Sequence, residues 1–326
     1  MNSTDFIQHL QERARARNAR VAFPDATDPR TLQASSILVS ERIATPVLVG
    51  NEQAIRDVAM AHSISLQGTE FIDPQELREH EDVLHALMNV RPGKILTMDD
   101  ARTRCAVPTI AAGMALHLGM VDAVVAGSMT STADVIRAAL TTIPLAPGVS
   151  TLSSYFFMVL NSQVMIYTDC AVVPEPDALQ LCHIAGSAAQ NMLRVAELQP
   201  RVAFLSFSTK GSAESASVLR VRQAADLFRQ QFPHIPADGE LQADAALVAS
   251  VAERKSPASP LHGDANVLVF PNLDAGNIGY KLTERLAGAM ALGPIVQGLS
   301  KPYCDLSRGC SADDIVHVAC VAVLMS

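Results

Sequence analysis

The sequence predicts an α/β protein of two domains with mainly parallel sheets, and three observations carry that prediction. Strand-like runs alternate with helical stretches along most of the 326 residues, the order that builds parallel sheets covered by helices. The run Val121-Asp122-Ala123-Val124-Val125-Ala126 is nearly continuous in apolar residues, as in a strand buried on both faces. Ile143-Pro144-Leu145-Ala146-Pro147-Gly148 holds two prolines and a glycine, the composition of a crossing between domains.

The elements follow from local pattern. A helix is expected over 2–17, a strand over 20–23 ending in Pro24-Asp25, and a helix over 28–40. A buried strand at 45–50 leads to a helix at 51–62 and a short strand near 69–73. Helices near 75–90 and 98–119 precede the strand at 121–126. Past the crossing, 151–159 and 163–168 read as neighbouring strands with no helix between them. A helix at 177–195, a strand at 202–206, a helix at 214–232 and a helical stretch around 241–253 come next. The strand 267–270, a helix from 274 to 291 and a strand at 294–297 complete the second half. The chain ends in a helix whose apolar residues begin at Ile315, and which can return to pack on the first domain.

Apolar residues make up 49% of the chain, ample for packed cores, and the net charge of −8 argues against nucleic acid as a partner. No uncharged apolar run reaches the length of a membrane span, so no membrane partner is expected. Arg13, Arg15, Arg17 and Arg20 cluster near the start, but Asp5 and Glu12 interrupt them, as on an ordinary surface helix. The six cysteines lie far apart without a C-x-x-C pair, which fits a reduced cytoplasm and gives no metal site.

The chemistry is expected near the C-terminus, in Lys301-Pro302-Tyr303-Cys304-Asp305-Leu306-Ser307-Arg308-Gly309-Cys310-Ser311-Ala312-Asp313-Asp314. This reads as a short polar loop feeding a helix, with Ser311 as N-cap and Asp314 in the capping-box position. Free amides at the helix start, the forked guanidinium of Arg308 and the Ser307 hydroxyl suit an oxyanion. A second candidate is Ala126-Gly127-Ser128-Met129-Thr130-Ser131-Thr132-Ala133-Asp134-Val135-Ile136-Arg137, a buried strand running into a hydroxyl-rich turn and a helix. Ligands of open α/β sheets sit outside such strand ends; equally, Ser131 or Thr132 merely caps the helix and Arg137 is a surface charge. Asp238, Glu240 and Asp244 could hold Mg²⁺ or act as helix-start charges. Gly276 and Gly279 at a helix start, ahead of Lys281, point to a close backbone approach. The loop 206–212 lacks Walker spacing, and no G-x-G-x-x-G follows a strand.

Taken together, Gly127 through Arg137, the segment 205–212, Asp238 through Ala245, Asn266 through Lys281, Gly293-Pro294 and Asp305 through Ser311 resemble the phosphate acetyl/butyryltransferase family, most of all its acetyl-transferring branch. The ordered motifs cover about 120–316. The resemblance implies an isocitrate/isopropylmalate-dehydrogenase-like fold, with one domain over 1–146 and 302–326, the other over 147–301, and the active site in the cleft between them. It implies reversible acetyl transfer between coenzyme A and phosphate, so acetyl-CoA, coenzyme A, phosphate and acetyl phosphate as small-molecule partners, no tightly bound cofactor, and a homodimer. By position, Asp314 matches the family's general base for the thiol, Arg308 its carbonyl and phosphate stabiliser, and Ser307 a hydrogen-bonding partner. Arg137 matches an arginine that binds coenzyme A, and Arg91 is a looser match for another. Ser131, Thr132, Lys281, Gly309 and Cys310 complete the expected substrate contacts. The segments 89–94 and 104–109 depart from the family pattern, which leaves the coenzyme A grip around them open.

A thiol near pKa 8.5 facing an aspartate near 3.9 faces roughly 6 kcal/mol against proton transfer. Asp314 is therefore expected to be desolvated. Cys310, beside Arg308 at a helix start, is the rival nucleophile. The rival activities are phosphate butyryl transfer and a non-catalytic acyl-CoA-sensing domain.

Overall fold

The computed structural model describes residues 1–90, 97–161 and 163–326. They divide into two compact units, 7–147 with 299–326, and 1–6 with 148–298. In chain order the first elements are α1 (Ser3–Arg15), β1 (Arg20–Phe23), α2 (Pro29–Ser40), β2 (Thr45–Val49), α3 (Glu52–Ala61) and β3 (Glu70–Ile72). Next come α4 (Pro74–Leu77), α5 (Glu81–Val90), α6 (Met98–Cys105), α7 (Pro108–His117), β4 (Ala123–Ala126) and α8 (Thr132–Thr142). The second unit contributes β5 (Ser153–Leu160), β6 (Gln163–Thr168), α9 (Ala178–Ala196), β7 (Val202–Leu205), α10 (Ala216–Gln231) and β8 (Ala237–Leu241). It closes with α11 (Ala243–Leu247), α12 (Ala249–Lys255), β9 (Val267–Val269), α13 (Leu273–Ala287) and β10 (Met290–Gln297). The chain then ends in β11 (Tyr303–Asp305) and α14 (Ala312–Met325).

The unit built on 7–147 and 299–326 carries a fully parallel sheet in the order β11-β4-β1-β2-β3. Polar caps explain where its helices start. Asp28 precedes Pro29 at α2, Asn51 caps α3, and Asp73 precedes Pro74 at α4. The helix expected over 98–119 is instead two, because Pro108 cannot continue the hydrogen-bond ladder and Val107 turns extended before it. Val21, Ala22, Val47, Leu48, Val124 and Val125 are buried, as a sheet covered on both faces requires. From Ile315 to Leu324 only His317 escapes full burial, so α14 is a core helix packed against α2 and β4. Tyr303 is fully buried and donates its hydroxyl to Thr109 O at 2.9 Å. Its strand, β11, falls where the sequence reads as loop; three residues with a lone aromatic and a charge leave no alternation to recognise.

The other unit is a six-stranded mixed sheet ordered β10-β5-β6-β9-β7-β8. β5 pairs antiparallel with both β6 and β10, and the remaining pairs are parallel. The expected helix over 274–291 stops at Gly288, whose left-handed φ of 68° ends α13, so that 290–297 becomes the edge strand β10. Gly276 is required by a close approach: a Cβ there would sit 2.1 Å from Asp169 O.

The carboxylates at 238 and 240 are neither metal ligands nor helix-start charges. They lie on β8, buried, where Lys210 and Arg229 pair with Asp238 and Arg222 pairs with Glu240. Glu240 also accepts from Gly211 N at 2.7 Å and Ser208 Oγ at 3.2 Å. Burial alone would raise its pKa, but Arg222 and the backbone donors outweigh that and hold it at about 2. Charged residues on a buried strand hide it from any hydropathy pattern, which is why no strand is expected ahead of the helical stretch around 241–253. Among the described residues no helix is long and apolar enough to cross a membrane.

Candidate active site

β4 and β11 are neighbours in the parallel sheet, with Val124 opposite Tyr303 and Ala126 opposite Asp305. Both run into hydroxyl-rich loops and then into helices that start on the same S-x-x-D pattern. At α8, Ser131 caps by accepting from Asp134 N at 3.2 Å, and its hydroxyl donates to Asp134 Oδ2 at 2.6 Å. At α14, Asp314 N donates to Ser311 Oγ at 3.1 Å, while Ser311 N and Oγ both donate to Asp314 Oδ2 at 2.9 Å. Two helix N-termini thus emerge from adjacent strand ends, a placement favourable to anions.

Between β11 and α14 the chain makes a tight turn. Cys310 N donates to Ser307 O at 3.0 Å, and Gly309 N to Ser307 Oγ at 3.3 Å. Ser307, Arg308 and Gly309 are exposed, whereas Cys310 is buried. The Ser307 hydroxyl, the Arg308 guanidinium and Asp314 are therefore offered to solvent from one turn and the first helical turn behind it. Asp134 connects this turn to α8: its carboxyl is held below the usual range by the Ser131 hydroxyl and by its ion pair with Arg137, with a contribution from Arg308. The structure thus brings Arg308, Asp134, Arg137 and Ser131 into one neighbourhood.

Arg137 also lines a cavity of about 450 Å³ within this unit. Arg104, Thr109, Thr130 and Thr141 share the lining with the apolar Val107, Pro108 and Ile110. Two guanidinium groups at a partly apolar pocket suit an anionic, phosphate-bearing ligand with an organic body. Thr132, expected as a substrate contact, begins α8 beside the cap. Lys281 lies on α13 of the other unit, where its Nζ donates to Asn277 Oδ1 at 2.8 Å and sits 5.7 Å from the Tyr280 ring. Arg91 lies outside the described residues.

One expectation is corrected and one rival reading is set aside. Asp314 is exposed, so the desolvation expected of it is not supplied by the packing of the free protein. Its engaged oxygen is Oδ2, which accepts from Ser311 N and Oγ. Cys310 does not fit the nucleophile's part. Burial pushes its thiol up, against the pull of the Arg30 charge, which leaves it a thiol rather than a thiolate at neutral pH.

Two residues with no role assigned from the sequence, Asp25 and Arg30, hold the site, and Asp305, inside the C-terminal stretch, has a notable environment of its own. The Asp25 carboxylate, at the end of β1, accepts from Gly127 N at 2.7 Å and Thr130 Oγ1 at 2.6 Å, fixing the loop after β4. Arg30 on α2 reaches across to the backbone of both loops. Asp305 is buried, and its two carboxyl oxygens have no hydrogen-bond partner among the described residues. The clue to Asp25 lay in its position just after β1, where a buried parallel strand ends. Arg30, near the start of a half-buried helix, gave no signal.

With this geometry in view, likeness to known proteins decides the family. A family model described as "Phosphate acetyl/butaryl transferase" matches residues 5–323. The chain belongs to this family. Among its relatives, the phosphate acetyltransferase of Acetivibrio thermocellus is 41% identical over 98% of both chains. The phosphotransacetylase from Streptococcus pyogenes superposes with a TM-score of 0.95, at 36% identity, covering 99% of this chain and 98% of the other. The EutD phosphotransacetylase from Staphylococcus aureus gives 0.92 at 37% identity over 99% of both chains. For a member of the phosphate acetyl/butyryltransferase family, the adjoining turns after β4 and β11 carry the motifs through which the sequence resembles its acetyl-transferring branch.

Proposed function

We propose that the chain catalyses reversible transfer of an acetyl group between coenzyme A and inorganic phosphate, by direct attack within a ternary complex. One observation carries the reading: Ser307, Arg308 and Asp314 stand together on the exposed turn and first helical turn after β11, in a chain of the acyltransferase family. Phosphate is held by Arg308, Ser307 and the free amides at the start of α14. A phosphate oxygen attacks the thioester carbonyl, the C–O bond forms, and Arg308 stabilises the tetrahedral oxyanion. The C–S bond then breaks, and protonated Asp314 delivers its proton to the departing thiolate. In the reverse direction Asp314 removes the thiol proton.

Because Asp314 is exposed in the free protein, bound acyl-CoA itself excludes water from around it. Arg137 and Arg104 at the cavity on the same unit take phosphate groups of coenzyme A, with Ser131 and Thr132 at its edge; Gly309 and Cys310 shape the turn. No resident cofactor or metal has a part in this scheme. The reading includes a cytoplasmic location, where coenzyme A is available, and a homodimer. In support of the latter, α13 exposes Ile278, Leu282 and Leu286 at successive helical turns, with Leu286 82% exposed, an apolar stripe suited to a second copy.

The test is phosphate-dependent loss of the acetyl-CoA thioester, with acetyl phosphate trapped by hydroxylamine, butyryl-CoA alongside and no metal added. The reading predicts turnover of acetyl-CoA that requires phosphate. Loss of thioester without phosphate, or preference for butyryl-CoA, overturns it. Light scattering during size exclusion checks the dimer, which a Leu282→Glu change is expected to split.

A further inference from the structure

The feature that the chemistry leaves unexplained is Arg30, whose guanidinium is spent on three backbone carbonyls and one carboxylate of the protein itself. Its Nη1 donates to Arg308 O at 2.7 Å and to Cys310 O at 2.9 Å. Its Nη2 donates to Ser128 O at 2.9 Å and to Asp28 Oδ2 at 2.7 Å, and its Nε to Asp28 Oδ1 at 3.1 Å. The Asp28 carboxyl is buried, and the bidentate pair locks the guanidinium plane. Burial would raise that carboxyl, yet Arg30 outweighs it and keeps Asp28 below the usual range. A hydroxyl contact between Thr31 and Ser128 at 3.2 Å runs beside the clamp.

These bonds join the loops that follow three adjacent strands: β1 supplies Asp28 and Arg30, β4 supplies Ser128, and β11 supplies Arg308 and Cys310. Two of the three carbonyls flank Gly309 in the turn that presents Ser307 and Arg308. A fixed cation between them sets the direction of the turn's peptide planes and hence the path of the Arg308 side chain. We infer that Arg30, locked by Asp28, is a positioning residue for acetyl transfer: it holds the turn carrying Arg308 and Ser307 in its reactive arrangement without touching the reacting atoms. The inference rests on the proposed use of Arg308 and Ser307. A lysine cannot replace it, because a point ammonium cannot span three carbonyls and a carboxylate in one plane.

The experiment measures Arg30→Ala, Arg30→Lys and Asp28→Asn against wild type in the phosphate-dependent thioester assay, with hydrogen exchange at the amides of 307–314 followed in parallel. Displacement of a catalytic group by about 1 Å costs about 100-fold in rate. Arg30→Ala and Arg30→Lys are therefore expected to lose kcat by about that factor, with KM for acetyl-CoA and phosphate changed less than about three-fold. Exchange should quicken at 307–314 and stay unchanged in β2 and β3. Added guanidinium ion should restore part of the Arg30→Ala rate, and Asp28→Asn should lie between wild type and Arg30→Ala. Unchanged kcat in Arg30→Ala overturns the inference. A rise in KM for phosphate at constant kcat overturns it too, by making Arg30 a direct ligand. Exchange that quickens across the whole sheet, with no guanidinium rescue, reduces Arg30 to a stability residue. A wild-type protein without phosphate-dependent turnover would instead fail the proposed reaction, while the exchange result still reports whether the clamp orders the turn.

Discussion

Asp305 offers the sharpest quantitative test of how this unit is built. It ends β11, is 1% exposed, and has both carboxyl oxygens without a hydrogen-bond partner among the described residues. Burial raises its pKa from 3.8 to about 6, helped by the nearby Asp25 charge; the Thr132 hydroxyl and Leu306 amide pull the other way without reaching hydrogen-bond geometry. A pKa raised in the fold means that the neutral acid fits and the carboxylate does not. The stabilising contribution is complete below pH 3.8 and is lost as pH rises through about 6. The whole loss is worth about 3 kcal/mol, of which about 2 falls between pH 4.5 and pH 8. Asp305→Asn is a neutral analogue at every pH. Its stability relative to wild type should therefore improve by about 2 kcal/mol between those two pH values, whatever the substitution costs in packing. Hydrogen exchange at the β4 and β11 amides, read at both pH values, reports this unit without requiring the chain to unfold in one step. A mutant-to-wild-type difference that is the same at pH 4.5 and pH 8 would refute the reasoning, since it would mean that Asp305 is ionised in the fold at no cost.

Further outcomes are expected elsewhere. Asp314→Asn should lower kcat by about 100-fold or more, with its fold retained because Ser311 remains the N-cap of α14 and an amide oxygen can still accept from Ser311 N; near-normal turnover would make Asp314 a capping-box residue and nothing else. Cys310→Ala should keep most of the activity, and initial-rate kinetics should give intersecting lines, since parallel lines would signal an acyl-enzyme. Gly127, at φ 111°, would place a Cβ 2.4 Å from Asp305 Oδ1 and 2.7 Å from Leu306 N, so Gly127→Ala should destabilise by about 3 kcal/mol, measured by denaturant unfolding. Glu240 is depressed to about 2 from 4.5, so its contribution is present above pH 4.5 and lost as pH falls toward 2. Glu240→Gln should flatten that acid limb of the stability curve of its unit, and Arg222→Ala should lower stability at pH 7 by leaving the buried Glu240 carboxylate without its charged partner.

The alternation of strands and helices was legible because the central strands are buried on both faces and read as apolar runs, as in Val124 and Val125. Legibility failed where polar side chains entered the core. β8 carries Asp238 and Glu240, which are paired by Lys210 in a loop and by Arg222 and Arg229 on a separate helix. β11 carries Asp305, which ends a strand too short to show a period. Breaks were missed for a different reason: Pro108 and Gly288 end or start helices by backbone geometry that the surrounding apolar pattern continues across. At the site, the turn Ser307 to Cys310 was visible because its residue types are chemically unusual together. Asp25 and Arg30 were not, since their work is done on backbone atoms of distant loops, and no spacing in the chain records a bond across 278 positions.

This contrast bears on how the site works. The exposed groups, Ser307, Arg308 and Asp314, sit on a turn with few apolar anchors of its own, so their arrangement cannot come from local packing. It comes from charge placed beneath them: Asp25 holds the loop after β4, and the Asp28–Arg30 pair joins that loop to the turn after β11. Arg308 makes no ion pair among the described residues, and its charge acts on Asp134 only at a distance. A guanidinium already satisfied by a carboxylate would have to give up that partner during each turnover, and the exchange would appear in the barrier. In the proposed reaction, one arginine bonded to backbone and another exposed to solvent separate positioning from charge stabilisation, and Arg308 would meet phosphate with its direction already fixed.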